Sequence, residues 1–247
     1  IRDSLNGVEY QKMFGFGGCF NEQGYEALKT LPENKQDSLL KELFAADAEA
    51  CKLNFCRMPI GANDYAMDWY SLDETPGDYA LQHFSIDRDK ERLIPYIQKA
   101  KTYAPDLKLF ASPWSPPTWM KNPPVYNWGK LIWEPKNLQA YADYFVRFVK
   151  EYQHEGITID QIHVQNEPVA NQKFPSCMWT GAELKEFIRD YLGPTFKKNG
   201  LDTEIWLGTI NAPGCDYNRL IFDKWATEDY DYFANTVLED DEARQYI

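Results

Sequence analysis

The segment Ile162-His163-Val164-Gln165-Asn166-Glu167-Pro168 is an apolar run that ends in an amide, a carboxylate and a proline. Proline disfavours the helical region for the residue before it, so Glu167 is expected to be extended at the end of a strand, with its carboxyl aimed into open space. A carboxyl held there can give and take a proton. Asn166 beside it can hydrogen-bond a hydroxyl. On a sugar, a contact to the 2-hydroxyl strengthens as positive charge develops at the anomeric carbon. Taken alone, Asn-Glu-Pro also reads as a plain turn.

Other apolar runs end in residues that fit the same chemistry. One delivers Arg57 and then Asp64, the latter in Gly61-Ala62-Asn63-Asp64. An arginine so close to an apolar run needs a partner. It either holds a catalytic carboxylate ionised and in place or forms a structural ion pair with an aspartate. Another run leads into Ser112-Pro113-Trp114-Ser115-Pro116-Pro117-Thr118-Trp119, where three prolines stiffen the loop. Trp114 and Trp119 are read either as walls of a sugar pocket or as packing, with the wall favoured for at least one. Trp179, in Ser176-Cys177-Met178-Trp179-Thr180, is a further candidate to close the pocket. Cleaving a glycosidic bond takes two carboxylates, one protonated and one acting as nucleophile or base. Glu167 is the acid in this reading. Asp64 is read as a binder of sugar hydroxyls, and the second catalytic carboxylate is expected beyond Ile247.

These residues are set out by alternating short apolar runs and longer amphipathic stretches. Strands are predicted at Met13–Gly18, Asn54–Ile60, Leu107–Ser112, Ile159–Val164 and Thr203–Gly208. Helices are predicted at Asp37–Lys52, at Arg88–Tyr103, from Asn137 as N-cap to about Tyr152, from a Thr180/Glu183 capping box to Lys198-Asn199-Gly200, and at Asp240–Tyr246. Strand–helix alternation implies a parallel sheet with right-handed crossovers. Loops after the strands are long and chemically rich, while those after the helices are short. That asymmetry marks a barrel whose site lies at the C-terminal ends of its strands. The expected fold is therefore α/β, a TIM-type (β/α)8 barrel. About five β/α units are present where a closed barrel needs eight, so residues 1–247 are expected to be the N-terminal part of a catalytic barrel. A doubly wound open sheet is the alternative, but no GxGxxG follows a strand.

Composition narrows the function classes. The chain has 247 residues with a net charge of −12. An acidic surface repels phosphate backbones and anionic membranes and leaves a neutral sugar unhindered. Aromatic residues make up 15%, with eight Trp, which suits stacking on the C–H faces of sugar rings as well as core packing. Cys19, Cys51, Cys56, Cys177 and Cys215 are irregularly spaced and are read as buried free thiols. The three histidines, His83, His154 and His163, do not cluster, which argues against a zinc or two-metal site. No apolar run approaches the length of a membrane span.

Taken in order, several segments resemble glycoside hydrolase family 30, which includes acid β-glucosidase (glucosylceramidase). They are Phe16-Gly17-Gly18, Arg57-Met58-Pro59 with Asp64, and Pro76-Gly77-Asp78-Tyr79 through His83-Phe84-Ser85. They continue with Ala111-Ser112-Pro113-Trp114 through Pro117-Thr118-Trp119, then Asn166-Glu167-Pro168 and Arg189-Asp190-Tyr191-Leu192-Gly193-Pro194. The resemblance implies a retaining β-glycosidase that needs no metal or organic cofactor. Glu167 matches the family's acid/base and Asn166 the sugar-contacting residue beside it. Arg57, Asp64, Trp114 and Trp119 match pocket positions, with Asp64 and Trp114 similar to residues that bind the sugar in the −1 subsite. The family's nucleophile is a Glu on the seventh strand, and the family also carries a side β-sandwich; both are expected outside this sequence. The implied substrate is a β-linked glucoside or glucan, with a glucosylceramidase-like enzyme favoured over a β-1,6-glucanase, xylosidase or fucosidase. A carbohydrate-binding barrel without catalysis is the alternative from another class.

Overall fold

A computed structural model describes residues 2–3, 7–10, 12–209 and 233–247. Cys215 lies outside the described residues. A two-residue hairpin, β1 (Arg2–Asp3) with β2 (Val8–Glu9), precedes two helices, α1 (Glu22–Lys29) and α2 (Glu33–Phe44). Strand β3 (Phe55–Ile60) follows, then α3 (Leu93–Lys101) and β4 (Lys108–Pro113). A minor pair, β5 (Lys121–Asn122) and β6 (Lys130–Leu131), sits in the loop before the long helix α4 (Pro135–His154). Next come β7 (Gln161–His163), α5 (Gly181–Glu186), a π-helical turn (Phe187–Leu192), α6 (Gly193–Lys198) and β8 (Glu204–Trp206). Helices α7 (Phe233–Leu238) and α8 (Asp241–Arg244) end the chain.

Strands β3, β4, β7 and β8 pair in parallel in that order. Spatial order follows chain order with no reversal, as in a barrel; a doubly wound sheet reverses at its switch point. The predicted first strand, Met13–Gly18, runs beside β3 without becoming a regular strand. The Phe16 carbonyl accepts from the N–H groups of Asn54 (2.9 Å) and Phe55 (3.2 Å), the Arg57 N–H donates to Gly18 (2.8 Å), and Cys19 bridges to Arg57. Gly17 explains the close approach, because a Cβ there would lie 1.7 Å from the Phe55 carbonyl oxygen. Gly17→Ala is expected to cost about 3 kcal/mol, the upper end for overpacking, read as a loss in urea-unfolding free energy. A change below about 0.5 kcal/mol would mean that the two segments do not pack this closely.

Register sorts the sheet into two faces. Met58, Leu109, Ala111 and Ile162 are fully buried on one face, in a single cluster with Ile97 of α3 and with Tyr141, Phe145, Phe148 and Tyr152 of α4. Arg57 and Phe110 are register partners on the other face, as are Pro59 with Ser112 and His163 with Trp206. The loop after β3 is anchored to α4 through buried Asp89, which accepts from the hydroxyls of Tyr70 (2.7 Å) and Tyr152 (2.6 Å). Burial pushes this carboxyl up to about 6.

Several elements differ from the sequence expectation. Helix α1 was not anticipated; Asn21 caps it by accepting from the Gly24 N–H at 2.7 Å, and Tyr25 and Leu28 are buried. Helix α2 starts earlier than Asp37 and stops at Phe44, because the chain turns back and the N–H groups of Cys51 and Leu53 take the Glu42 and Leu43 carbonyls. The stretch predicted as one helix from Arg88 is a 3-10 turn (Asp89–Glu91) followed by α3. Asn137 is not an N-cap. It lies inside α4, 2% exposed, and its amide donates to the carbonyls of Met120 (3.1 Å) and Ile132 (2.9 Å). The Thr180/Glu183 capping box forms as expected, with bonds of 2.7 and 3.1 Å. Of the thiols, Cys56 and Cys177 are buried, but Cys19 and Cys51 are exposed; all four are free.

Candidate active site

The C-terminal ends of the parallel strands converge on Arg57. From β3 its guanidinium reaches Ser112 Oγ at the end of β4 (Nη2, 2.7 Å; Nε, 3.2 Å), Asn166 Oδ1 beyond β7 (2.5 Å) and Thr209 Oγ1 beyond β8 (3.0 Å). It also lies 4.2 Å from the centre of the Trp114 ring, a cation–π contact. Ser112 is fully buried and Asn166 is 6% exposed, so both side chains need hydrogen-bond partners here, and Arg57 serves each. The Arg57 link is therefore a network to neutral acceptors rather than an ion pair.

This network orients Asn166. Its Oδ1 accepts from both Arg57 and Thr209 (3.2 Å), which leaves the Nδ2 amide as the donor for another group. Gln165 packs behind, fully buried, donating to the carbonyls of Trp114 (2.8 Å) and Asn166 (2.9 Å). Gly208 makes this close contact possible, since a Cβ there would lie 2.6 Å from the Gln165 carbonyl.

Glu167 is half-buried at the end of this group. Its backbone corrects the extended conformation expected from Pro168. The φ angle is +44°, in the left-handed region. That region avoids the right-handed helical geometry that a following proline opposes, but it costs a non-glycine residue about 1–3 kcal/mol. The surroundings hold it: the Glu167 N–H donates to Thr209 (3.0 Å), the Glu167 carbonyl accepts from Ala170 (2.8 Å), and the Pro168 carbonyl accepts from Trp179 (2.7 Å). Burial raises the Glu167 carboxyl above its ordinary 4.5; Arg57 opposes the rise, Asp64 adds to it, and a hydrogen bond from Gln172 opposes it. This environment suits a group that must be protonated to act and must then lose the proton.

Asp64 is exposed on the loop after β3, near enough for its charge to act on both Arg57 and Glu167. Trp114 is 5% exposed with one face committed to Arg57. Trp119 is half-buried; its Nε1 donates to the Asp73 carbonyl (3.0 Å) and its ring meets Tyr79 edge-on. Trp179 is not brought to the group around Arg57. It is 2% exposed, packed among Trp133, Tyr141 and Phe187. Ser112, Thr209, Gln165 and Gln172 were not singled out from the sequence, although Ser112 and Gln165 stand at predicted strand ends. His163 lies between Phe110 and Trp206, and burial, with Arg57 nearby, lowers it to about 4, so it stays neutral. Among the described residues, no group of three or more His, Cys, Asp or Glu could hold a metal ion, and no helix is long and apolar enough to cross a membrane.

The glycosyl hydrolase family 30 TIM-barrel domain matches residues 13–247. "Putative glucosylceramidase 1" of Caenorhabditis elegans is 34% identical over 97% of this chain and 44% of its own length. The mouse "Lysosomal acid glucosylceramidase" is 30% identical over 97% of the chain and 45% of its own length. Among solved structures, an endo-β1,6-glucanase superposes with a TM-score of 0.85 at 27% identity, over 98% of this chain and 52% of that one. The chain thus spans about half the length of the curated relatives it matches.

Proposed function

The chain belongs to glycosyl hydrolase family 30, and from that premise we propose that it carries the acid/base half of a retaining β-glucosidase site, with Glu167 as the acid/base. The observation that carries this reading is the placement of Glu167, half-buried beside the Arg57–Asn166 network, with burial raising its carboxyl from the ordinary value. In the first step Glu167 protonates the leaving oxygen while a carboxylate on the remainder of the barrel attacks the anomeric carbon. In the second it takes a proton from water, which attacks the same carbon and releases the sugar with its β-configuration retained. The Asn166 amide donates to the 2-hydroxyl, Asp64 accepts from sugar hydroxyls, and Trp114 and Trp119 line the pocket. The reading calls on no metal or organic cofactor.

The test is a panel of aryl β-glucoside, xyloside and fucoside with β-1,6-glucan, given to the full-length protein and followed by NMR of the released anomer. Glucoside hydrolysis with retention supports the reading; inversion, or no hydrolysis of any member, overturns it. A glucan in place of a glucosylceramide is the second reading, favoured by the likeness to the endo-β1,6-glucanase.

A pH profile provides a separate check. Glu167 must be protonated for the first step, so activity is lost as pH rises through its pKa. Burial raises that pKa, so the basic limb of kcat/KM is expected above that of an unperturbed glutamate. A basic limb at or below about pH 4.5 would remove Glu167 as the acid.

A further inference from the structure

Lys121 is 2% exposed, and the four groups that accept from its ammonium are all neutral. They are the Ser115 hydroxyl (3.0 Å) and the carbonyls of Val125 (2.8 Å), Tyr126 (2.9 Å) and Ser176 (2.7 Å). Burying an ammonium is costly unless its protons are all placed, and a well-packed apolar side chain often stabilises a fold equally well. What an apolar chain cannot do is fix the direction of carbonyl groups arriving from different loops. Three of the acceptors belong to the loop after β4, which carries Trp114 and Trp119. The fourth, Ser176, belongs to the loop after β7, which carries Glu167.

From Ser176 the contacts lead back to the carboxyl. The Ser176 N–H donates to Tyr126 (3.0 Å) and the Trp128 N–H donates to Ser176 Oγ (2.9 Å), so the two loops are stitched on both sides of the ammonium. The Gln172 N–H donates to the same Oγ (3.1 Å), and the Gln172 side chain is close enough to act on the Glu167 carboxyl. Two residues past the neighbouring Cys177, the Trp179 N–H holds the Pro168 carbonyl. A left-handed glutamate persists only where its surroundings over-determine it, and Lys121 is the buried post of those surroundings.

We propose that Lys121 is a positioning residue for Glu167, its ammonium fastening the loop after β7 to the loop after β4 so that the acid/base carboxyl keeps its place. This rests on the assignment of Glu167 as acid/base. The test uses the full-length protein and β-glucosides whose leaving groups run from dinitrophenyl, which needs no protonation to depart, to a simple alkyl alcohol, which does. Lys121→Met is expected to lower kcat/KM for the alkyl glucoside by about tenfold or more, and for the dinitrophenyl glucoside by less than about threefold. A residue that only stabilises the fold would reduce both by the same factor. Equal losses in soluble Lys121→Met with native circular dichroism overturn the proposal. Should Lys121→Met fail to fold, Gln172→Ala cuts the last link at a half-buried site, and an unchanged leaving-group dependence there overturns it equally. Glu167→Gln in the same series separates the two assignments. If that variant loses both substrates equally, the acid/base reading falls and this one with it. If it is selective and Lys121→Met is not, only the role of Lys121 falls.

Discussion

Glu167→Gln in the full-length protein is expected to lower turnover of an unactivated β-glucoside by about 10²–10⁴-fold, the usual contribution of a positioned general acid. The substitution keeps the shape and removes the proton, so KM and the unfolding midpoint should hardly move. An aryl glycoside with a good leaving group should lose much less in the first step, because its oxygen departs without protonation. Its second step still needs a base. Exogenous azide, a nucleophile that requires no deprotonation, should therefore restore turnover and give a β-glycosyl azide. Near-normal hydrolysis of an alkyl glucoside by this variant would end the assignment.

Arg57→Ala is expected to be costly for stability and for the site together. It removes the donor shared by Ser112, Asn166 and Thr209, two of which are buried. Ser112 loses both bonds from Arg57 while Asn166 keeps the one from Thr209, and an unpaired buried acceptor costs about 1–3 kcal/mol, so a loss of that order should appear in urea unfolding. The Asn166 amide loses the shorter of the two bonds that orient it, which should raise KM as well as lower kcat. Arg57 also holds the Glu167 carboxyl down, so without it the basic limb of the pH profile moves to higher pH. Arg57→Lys should rescue part of this loss, since Nη2 alone reaches Ser112, Asn166 and Thr209 and an ammonium set there can serve the same acceptors, without the added Nε bond to Ser112. A variant that unfolds within about 0.5 kcal/mol of the parent, with an unshifted limb, would show that the network does no more than decorate the strand ends.

The course of the chain was legible because it rests on local rules. Leu138, Tyr141, Phe145, Phe148 and Val149 recur at the helical period, and all are buried in α4. Thr180 and Glu183 stand at capping-box spacing and make both bonds. Strand runs flanked by short loops on one side and long ones on the other placed Arg57, Ser112 and Asn166 at one end of a sheet whose strands follow chain order. Helix α1 was missed because its apolar side is short: only Tyr25 and Leu28 are its buried apolar residues.

What remained was decided by contacts between distant segments. Asn137 has the chemistry of an N-cap, but the Met120 and Ile132 carbonyls claimed its amide, and the helix started before it. Trp179 follows the candidate acid in sequence and is a candidate to close the pocket, yet the rings of Trp133, of Tyr141 in α4 and of Phe187 in the π-helical turn pack around it. Pro168 restricts Glu167, but a proline excludes one backbone region without choosing among the others; the Thr209 and Ala170 bonds accompany the left-handed one. By itself, then, the sequence determined most of the elements, their parallel order and the kinds of residue at the strand ends, because periodicity and capping act within a few residues. The tertiary structure alone decided which of those residues meet. Arg57 binds partners 55, 109 and 152 positions away, and no local rule records whether such groups share a hydrogen bond until the sheet has brought them together.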